Sequence, residues 1–328
     1  MEHRTEIRIE KSSLKIGYDT PVMLTGSCFA SEIGGKMNEG KMRVLINPCG
    51  TVYNPASIES TIRLAVQGRA LTKEDLFCHG GRYLSFLHYT DFSSESREDT
   101  LDRINSSTMM AHKFLAEAKI LVVTFGTARV YRLKTTGEIV SNCHKLPPGY
   151  FTPGLLSADS VAEKWTRLLD DLQSFNPGIR ILFTVSPVRH WKDGAHGNQV
   201  SKSVLFLAIE KLLSHPASAG YFPAYELLMD DLRDYRYYAD DMMHPSGIAV
   251  DYIWEAFSGC YLDEQTVSTW KEIRNITRAV KHRIVKPLAG SDREFAKSML
   301  SKISSVSKRY PYIDFSAELT YFDSLVTG

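Results

Sequence analysis

No run of eighteen apolar residues occurs anywhere in the 328-residue chain, so no membrane-spanning helix is expected. The N-terminal stretch Met1-Glu2-His3-Arg4-Thr5-Glu6-Ile7-Arg8 lacks the apolar segment of a secretory signal. The five cysteines, Cys28, Cys49, Cys78, Cys143 and Cys260, are odd in number and show no Cys-x-x-Cys spacing. That argues against a disulfide framework and predicts free thiols in a reducing, cytoplasmic setting. Excess charge is also missing: 39 basic side chains face 38 acidic ones, without the basic footprint of a nucleic-acid binder. There is no internal repeat and no low-complexity tract. What is present in quantity is hydrophobic side chain, 43% of the residues, enough for a sizeable core. The length suits one large α/β domain with an extension, or two small domains.

Along the chain, apolar runs alternate with stretches of helical spacing. Residues 5–20 alternate weakly and suggest an edge strand or hairpin. Val22-Met23-Leu24 reads as a strand, followed at once by the helical spacing of Phe29, Ile33 and Met37. Arg43-Val44-Leu45-Ile46 is a second strand. Asn54 then caps a helix with Pro55 at its first position. Residues 77–92 suggest a hairpin or long loop, and a helix is expected from about 97 to 117. Ile120–Phe125 and Ile179–Val185 are continuous apolar runs of the kind a parallel sheet buries on both faces. Residues 130–155 read as irregular, Ser160-x-x-Glu163 as a capping box, and about 200–213 as a helix. Such alternation predicts an α/β fold, a parallel sheet with helices on both faces, and ligands bound beyond the carboxyl ends of the strands. The expected division is a main domain over 1–262 and a helical C-terminal extension over 263–328. In the extension Trp270, Ile273, Thr277, Val280 and Ile284 form one stripe, and a capping box at Ser291 and Glu294 starts the next helix, with Phe295, Met299, Ile303 and Val306 as its stripe.

Two stretches carry candidate chemistry. Ser27 stands in Gly26-Ser27-Cys28-Phe29-Ala30, between a strand and a helix, with its hydroxyl at the mouth of the sheet and the helix N–H groups nearby. Serine is also a preferred helix cap, so a purely structural role competes. Asp241 and His244 are three residues apart. The carboxylate can reach the ring's Nδ1 and leave Nε2 free to accept a proton. The competing role is a turn-capping aspartate beside an ordinary loop histidine. Cys143, His144, His79 and His88 show no ordinary metal-ligand spacing, and neither a metal nor a cofactor is expected.

Taken together, the Gly-Ser elbow and the distant Asp-x-x-His resemble the SGNH hydrolase superfamily. More closely, the chain resembles the bacterial GSCFA-domain family, named for the pentapeptide itself. The resemblance extends through Asn47-Pro48-x-Gly50-Thr51-Val52-Tyr53-Asn54-Pro55, Phe125-Gly126-Thr127-Ala128, Asn142-Cys143-His144-Lys145, Ser186-Pro187-Val188-Arg189-His190 and Tyr221-Phe222-Pro223-Ala224-Tyr225-Glu226. It covers about residues 15–260. It implies a three-layer α/β/α sandwich and a serine-dependent ester hydrolase, but not the substrate; the expectation is a small-molecule or carbohydrate ester, with no nucleic-acid or membrane partner. Ser27 is then the nucleophile, His244 the base and Asp241 its orienter. The backbone N–H groups of Ser27 and Gly50 would hold the oxyanion.

One departure from the superfamily pattern matters. Its third core strand ends in Gly-x-Asn, whereas this chain has Gly126-Thr127-Ala128 and lacks the side-chain amide. Asn142 is the candidate substitute, with Thr127 as another donor. His144, Lys145, Arg189 and His190 are candidate substrate contacts, with a solvated rim as their structural alternative. Cys28 adjoins the candidate nucleophile and is expected to turn inward and pack. Acyl transfer to a sugar hydroxyl, and a non-catalytic binding module, are the competing functions.

Overall fold

The computed structural model describes residues 5–280 and 290–327. Among the described residues ten strands are present: β1 Val22–Gly26, β2 Val44–Ile46, β3 Phe77–His79, β4 Arg82–Leu84, β5 Ile120–Phe125, β6 Arg129–Leu133, β7 Ile139–Val140, β8 Phe151–Leu155, β9 Arg180–Val185 and β10 Ser218–Phe222. The α-helices are α1 Cys28–Glu39, α2 Pro55–Gln67, α3 Arg97–Glu117, α4 Ala158–Phe175, α5 Gly194–Leu212, the single turn α6 Ala224–Glu226, α7 Gly247–Tyr261, α8 Glu264–Ala279, α9 Gly290–Arg309 and α10 Ser316–Thr327. Among the described residues no helix is long and apolar enough to cross a membrane.

The chain divides into two units. The first holds Thr20–Gly34, Val44–Phe257 and the N-terminal residues through Glu10. Its centre is a five-stranded sheet in the order β2-β1-β5-β9-β10, every neighbouring pair parallel. Alternate side chains of each strand leave the sheet on opposite faces, and both faces are covered. Met23, Leu121, Val123, Phe125, Ile181, Phe183 and Val185 join one cluster with residues of α2, α3, α4 and α5. Leu24, Val122, Thr124 and Thr184 meet Phe29 and Ile33 of α1 and Phe257 of α7. This is the expected three-layer α/β/α sandwich. The continuous apolar runs exist because a strand covered on both sides has no solvent face to keep polar.

Strand order reverses between β1 and β5, since the connection from β1 leads outward to β2 and the next core strand returns to β1's other side. Loops leaving the carboxyl ends of these two strands therefore diverge and open a crevice, the usual ligand position of such sheets.

Several local expectations hold in detail. Asn54 caps α2, its side chain accepting from the Ser57 N–H, with Pro55 as the first helical residue. β3 and β4 form an antiparallel hairpin within 77–92. Others need correction. Residues 130–155 are not irregular: β6, β7 and β8 make an antiparallel three-stranded sheet. The cap of α4 is Ser157, not Ser160; Ser157 accepts from the Ser160 N–H. Helix α5 starts at Gly194, earlier than the apolar stripe suggested. Residues 5–20 form no strand; Ile7 donates its N–H to Asp231 instead.

The second unit holds Lys11–Asp19, Gly35–Arg43 and Ser258 onward, so it draws in more of the chain than the 263–328 extension. Trp270 of α8 packs on Gly40, where a Cβ would lie 2.1 Å from the indole, and donates its Nε1–H to the Lys36 carbonyl at 2.7 Å. Arg274 pairs with Glu39 at 2.8 Å. Of the stripe read on α8, Trp270 and Ile273 are buried, Thr277 and Val280 half-buried, and Ile284 lies outside the described residues. In α9, Met299, Ile303 and Val306 are buried as expected, whereas Phe295 is exposed and Ser291 lies inside the helix rather than at its cap.

Candidate active site

The Gly-Ser elbow follows from backbone geometry. Gly26 ends β1 with φ +130°, and a Cβ there would lie 2.2 Å from the Thr124 carbonyl oxygen of β5. Only glycine fits so close to a neighbouring strand in that conformation. Asn47, just beyond β2, locks the turn: its Oδ1 accepts from the Gly26 N–H at 2.9 Å and its Nδ2 donates to Ser31 Oγ at 2.8 Å. Ser27 is thereby carried to the end of β1, at the mouth of the crevice. It is buried, and its Oγ has no hydrogen-bond partner. A helix-capping serine would accept from a backbone N–H, so the capping alternative does not describe this hydroxyl.

The crevice is a cavity of about 550 Å³. Ser27, Cys28, Thr127, Asn142, Arg189, His190 and His244 all line it, drawn from positions more than two hundred residues apart in the chain. The loop Asp240–Ser246 brings His244 to the rim. There the Asp241 carboxylate accepts from the backbone N–H groups of Met243 and His244, both at 2.9 Å, and faces His244 Nδ1 at 2.5 Å. These bonds, led by the His244 N–H, hold the Asp241 carboxyl down at about 2. The pair is half exposed to solvent, and no hydrogen bond joins His244 to Ser27 Oγ.

The expected oxyanion donors are placed differently. The Ser27 N–H donates to the Thr124 carbonyl at 3.1 Å, extending the β1–β5 ladder by one residue. The Gly50 N–H donates to the Asn47 carbonyl at 2.8 Å. Gly50 is glycine for a different reason: its φ is +82° and a Cβ would lie 2.2 Å from that of Tyr89. Asn142 lines the cavity, but its amide donates to Thr90 Oγ1 at 3.2 Å and its oxygen caps the His144 N–H of its own loop at 2.8 Å. Thr127 Oγ1 is engaged with Ser201 Oγ and the Arg129 N–H. His144 is buried away from the cavity, tied to Thr90 Oγ1 and the Ser85 carbonyl, and is a structural cross-link rather than a substrate contact. What remains is the start of α1, where the leading N–H groups, those of Cys28 and Phe29, have no carbonyl of their own helix to bond.

His190 lies deeper, edge-on to Tyr53 with ring centroids 5.8 Å apart. Burial, with Lys202 and His244 adding positive charge nearby, pushes its pKa down to about 4. Sequence reasoning missed Lys202. This lysine is buried in α5 and donates to the carbonyls of Gly126 and Ser186, both at 2.7 Å. It ties together the residues that follow β5 and β9, directly beneath the cavity wall. Its signal was a lysine on the face of α5 shared by Asn198, Leu205, Ile209 and Leu212, all buried. Also missed were Arg129 and Tyr131, which the β6–β8 sheet presents to the cavity.

Lys202→Met is expected to destabilise the protein by about 2 kcal/mol, because two buried carbonyls lose their donor. Burial lowers the Lys202 pKa from 10.5 to about 7. Between those values the unfolded chain holds a proton that the folded chain has lost, so stability rises with pH across that window. Urea unfolding from pH 7 to pH 10 should show the rise in the wild type and its loss in the variant. An unchanged midpoint and slope would mean that Lys202 carries no such load.

The model of the GSCFA family matches residues 21–257, an interval that contains the elbow, the cavity and the Asp241–His244 pair. The chain belongs to the GSCFA family. A second model, the C-terminal domain of GSCFA domain proteins, matches residues 273–327. No curated protein matches. Among solved structures, a carbohydrate esterase family 3 protein from Talaromyces cellulolyticus aligns at 9% identity and a TM-score of 0.35, covering 77% of this chain and 99% of its own. An acetyl xylan esterase, Est2A, from the rumen bacterium Butyrivibrio proteoclasticus aligns at 8% identity and a TM-score of 0.34, covering 78% and 64%. Within the GSCFA family match, Gly26-Ser27-Cys28-Phe29-Ala30 opens the α1 wall of the cavity.

Proposed function

We propose that this GSCFA protein is a serine-dependent ester hydrolase that removes an O-acyl group, such as acetyl, from a carbohydrate-like substrate. The observation that carries the reading is the Ser27 hydroxyl: buried, unpartnered, and set on the wall of the same cavity that His244 reaches from the rim. A buried hydroxyl without a partner is costly and calls for an explanation, of which a catalytic role is one.

In the proposed reaction Ser27 Oγ attacks the ester carbonyl while its proton passes to His244 Nε2. Asp241, bonded to Nδ1, fixes the tautomer and balances the imidazolium. The tetrahedral intermediate expels the sugar alkoxide, which takes the proton from His244 and leaves an acyl ester on Ser27. Water, giving its proton to His244, then releases the acid and restores the serine. Contact between Ser27 and His244 is formed with substrate bound, as catalytic hydrogen bonds often are. The oxyanion is received by the N–H groups of Cys28 and Phe29. Both stand at the start of α1, where a helix has no carbonyl of its own to offer them.

A non-catalytic binding module is the second reading, favoured by the engagement of the Ser27 and Gly50 N–H groups elsewhere. A fluorophosphonate probe separates the two. An adduct is expected on Ser27, read by mass spectrometry, and it should persist in Cys28→Ala. A protein that resists labelling at neutral pH, or is labelled only through Cys28, would remove the serine-hydrolase reading. Adding a sugar acceptor to an active preparation and analysing the products distinguishes hydrolysis from acyl transfer.

A further inference from the structure

We propose that the substrate is an anionic sugar ester, and that Arg129, Arg189 and Lys192 form the subsite that receives its carboxylate or phosphate. The proposal rests on the ester-hydrolase reading for the word ester, but not for the subsite. Three cations line the cavity against one carboxylate, Asp193. Arg189 has no carboxylate within ion-pair reach among the described residues, and its Nε is buried without an acceptor. Its guanidinium is held over the Trp191 ring, 4.8 Å from the centroid. Its positive charge adds to burial in lowering the Lys202 pKa. The Nε of Arg129 is likewise buried without a hydrogen-bond acceptor, and the nearest carboxylate oxygen, Asp193 Oδ1, stands 4.0 Å away. Lys192 is poised over Tyr131, 5.1 Å from the ring centroid.

A buried guanidinium nitrogen without an acceptor is unfavourable in the free protein, and like charges gathered around one cavity make it more so. A carboxylate or phosphate entering the cavity reverses both terms. The planar fork of an arginine, Nε with one Nη, matches two oxygens of either group. Neutral hydroxyls would satisfy some donors but none of the charge. The two arginines come from independent segments, one in β6 and the other after β9, on the same cavity as Ser27. Substrate charge and scissile ester would thus be read at one site.

The test compares kcat/KM for mono-O-acetyl glucuronate, mono-O-acetyl glucose 6-phosphate and mono-O-acetyl glucose. At low salt at least one charged ester should exceed the neutral one by about tenfold or more, with the advantage shrinking as ionic strength rises. Arg189→Gln and Arg129→Gln should each reduce the charged-to-neutral ratio by several-fold. A wild-type ratio near one, or a ratio untouched by both substitutions, overturns the subsite. Calorimetry of glucuronate, glucose 6-phosphate and glucose with the Ser27→Ala protein reads the subsite without turnover. Salt-dependent binding of an acid but not of glucose is expected, and the tighter acid identifies carboxylate or phosphate. If the acids bind so and no ester is hydrolysed, the ester reading fails and the subsite stands. If esters are cleaved without regard to charge, the subsite fails and the ester reading stands.

Discussion

Ser27→Ala is expected to lower kcat/KM for a short-chain aryl ester by about 10⁴-fold or more, and to leave the protein at least as stable as the wild type. Loss of activity follows from the proposed acyl-enzyme, which needs this oxygen. The stability expectation comes from the structure alone. The hydroxyl is buried and makes no hydrogen bond. Leaving such a group unpaired costs roughly 1–3 kcal/mol, which alanine relieves. A serine serving as a helix cap would behave oppositely, losing about 1 kcal/mol on replacement. Ester turnover and thermal unfolding measured on one preparation therefore test both points. Turnover that survives with the fold intact removes Ser27 from the chemistry. Dead protein with a lowered midpoint would point to a structural role for the hydroxyl.

Asp241→Asn should lower kcat by about 10³-fold with a smaller change in KM. The amide oxygen can still accept from the backbone N–H groups of Met243 and His244, so the turn survives. The lost quantity is the negative charge beside His244 Nδ1, which selects the tautomer and stabilises the imidazolium. A buried orienter of this type contributes about 10⁴-fold, and the half-exposed position here reduces the expectation. The pH profile discriminates further. Because its carboxyl is held at about 2, Asp241 stays ionised across the working range and contributes no limb above pH 3. A rate limited by a neutral base rises with pH through that base's titration. An acid limb near pH 4 would identify His190, whose pKa burial depresses to about 4, as the base in place of His244. Asp241→Asn within tenfold of wild type would lead to the same revision.

The residues show how far the chain could be read unaided. Apolar runs such as Ile120–Phe125 have no polar alternation, so they specify strands covered on both faces and hence the layered sheet. Gly26-Ser27 between strand and helix marks the elbow because the turn there demands a glycine. Asp241 and His244 meet across one turn of chain, so their pairing is local and legible from spacing alone. The family, too, is written in short ordered motifs.

What tertiary structure decided is where non-local groups find their partners. The N–H groups of Ser27 and Gly50 are donors in any sequence. Only the register of β1 against β5, and the tight turn at Asn47, show that Thr124 and Asn47 already occupy them. Asn142 carries an amide wherever it lies; its loop folds so that Thr90 takes it. Residues 130–155 looked irregular because a small antiparallel sheet of short strands leaves little periodicity, and its pairing depends on segments twenty residues apart. Lys202 and the uncompensated Arg189 are invisible to composition, since a chain of near-zero net charge can still gather cations at one cavity. Local sequence determines backbone conformation and adjacent pairs, because those depend on neighbours in the chain. Burial, charge imbalance and hydrogen-bond vacancy depend on neighbours in space, and in this protein they distinguish the groups available to a substrate from those the fold has already used.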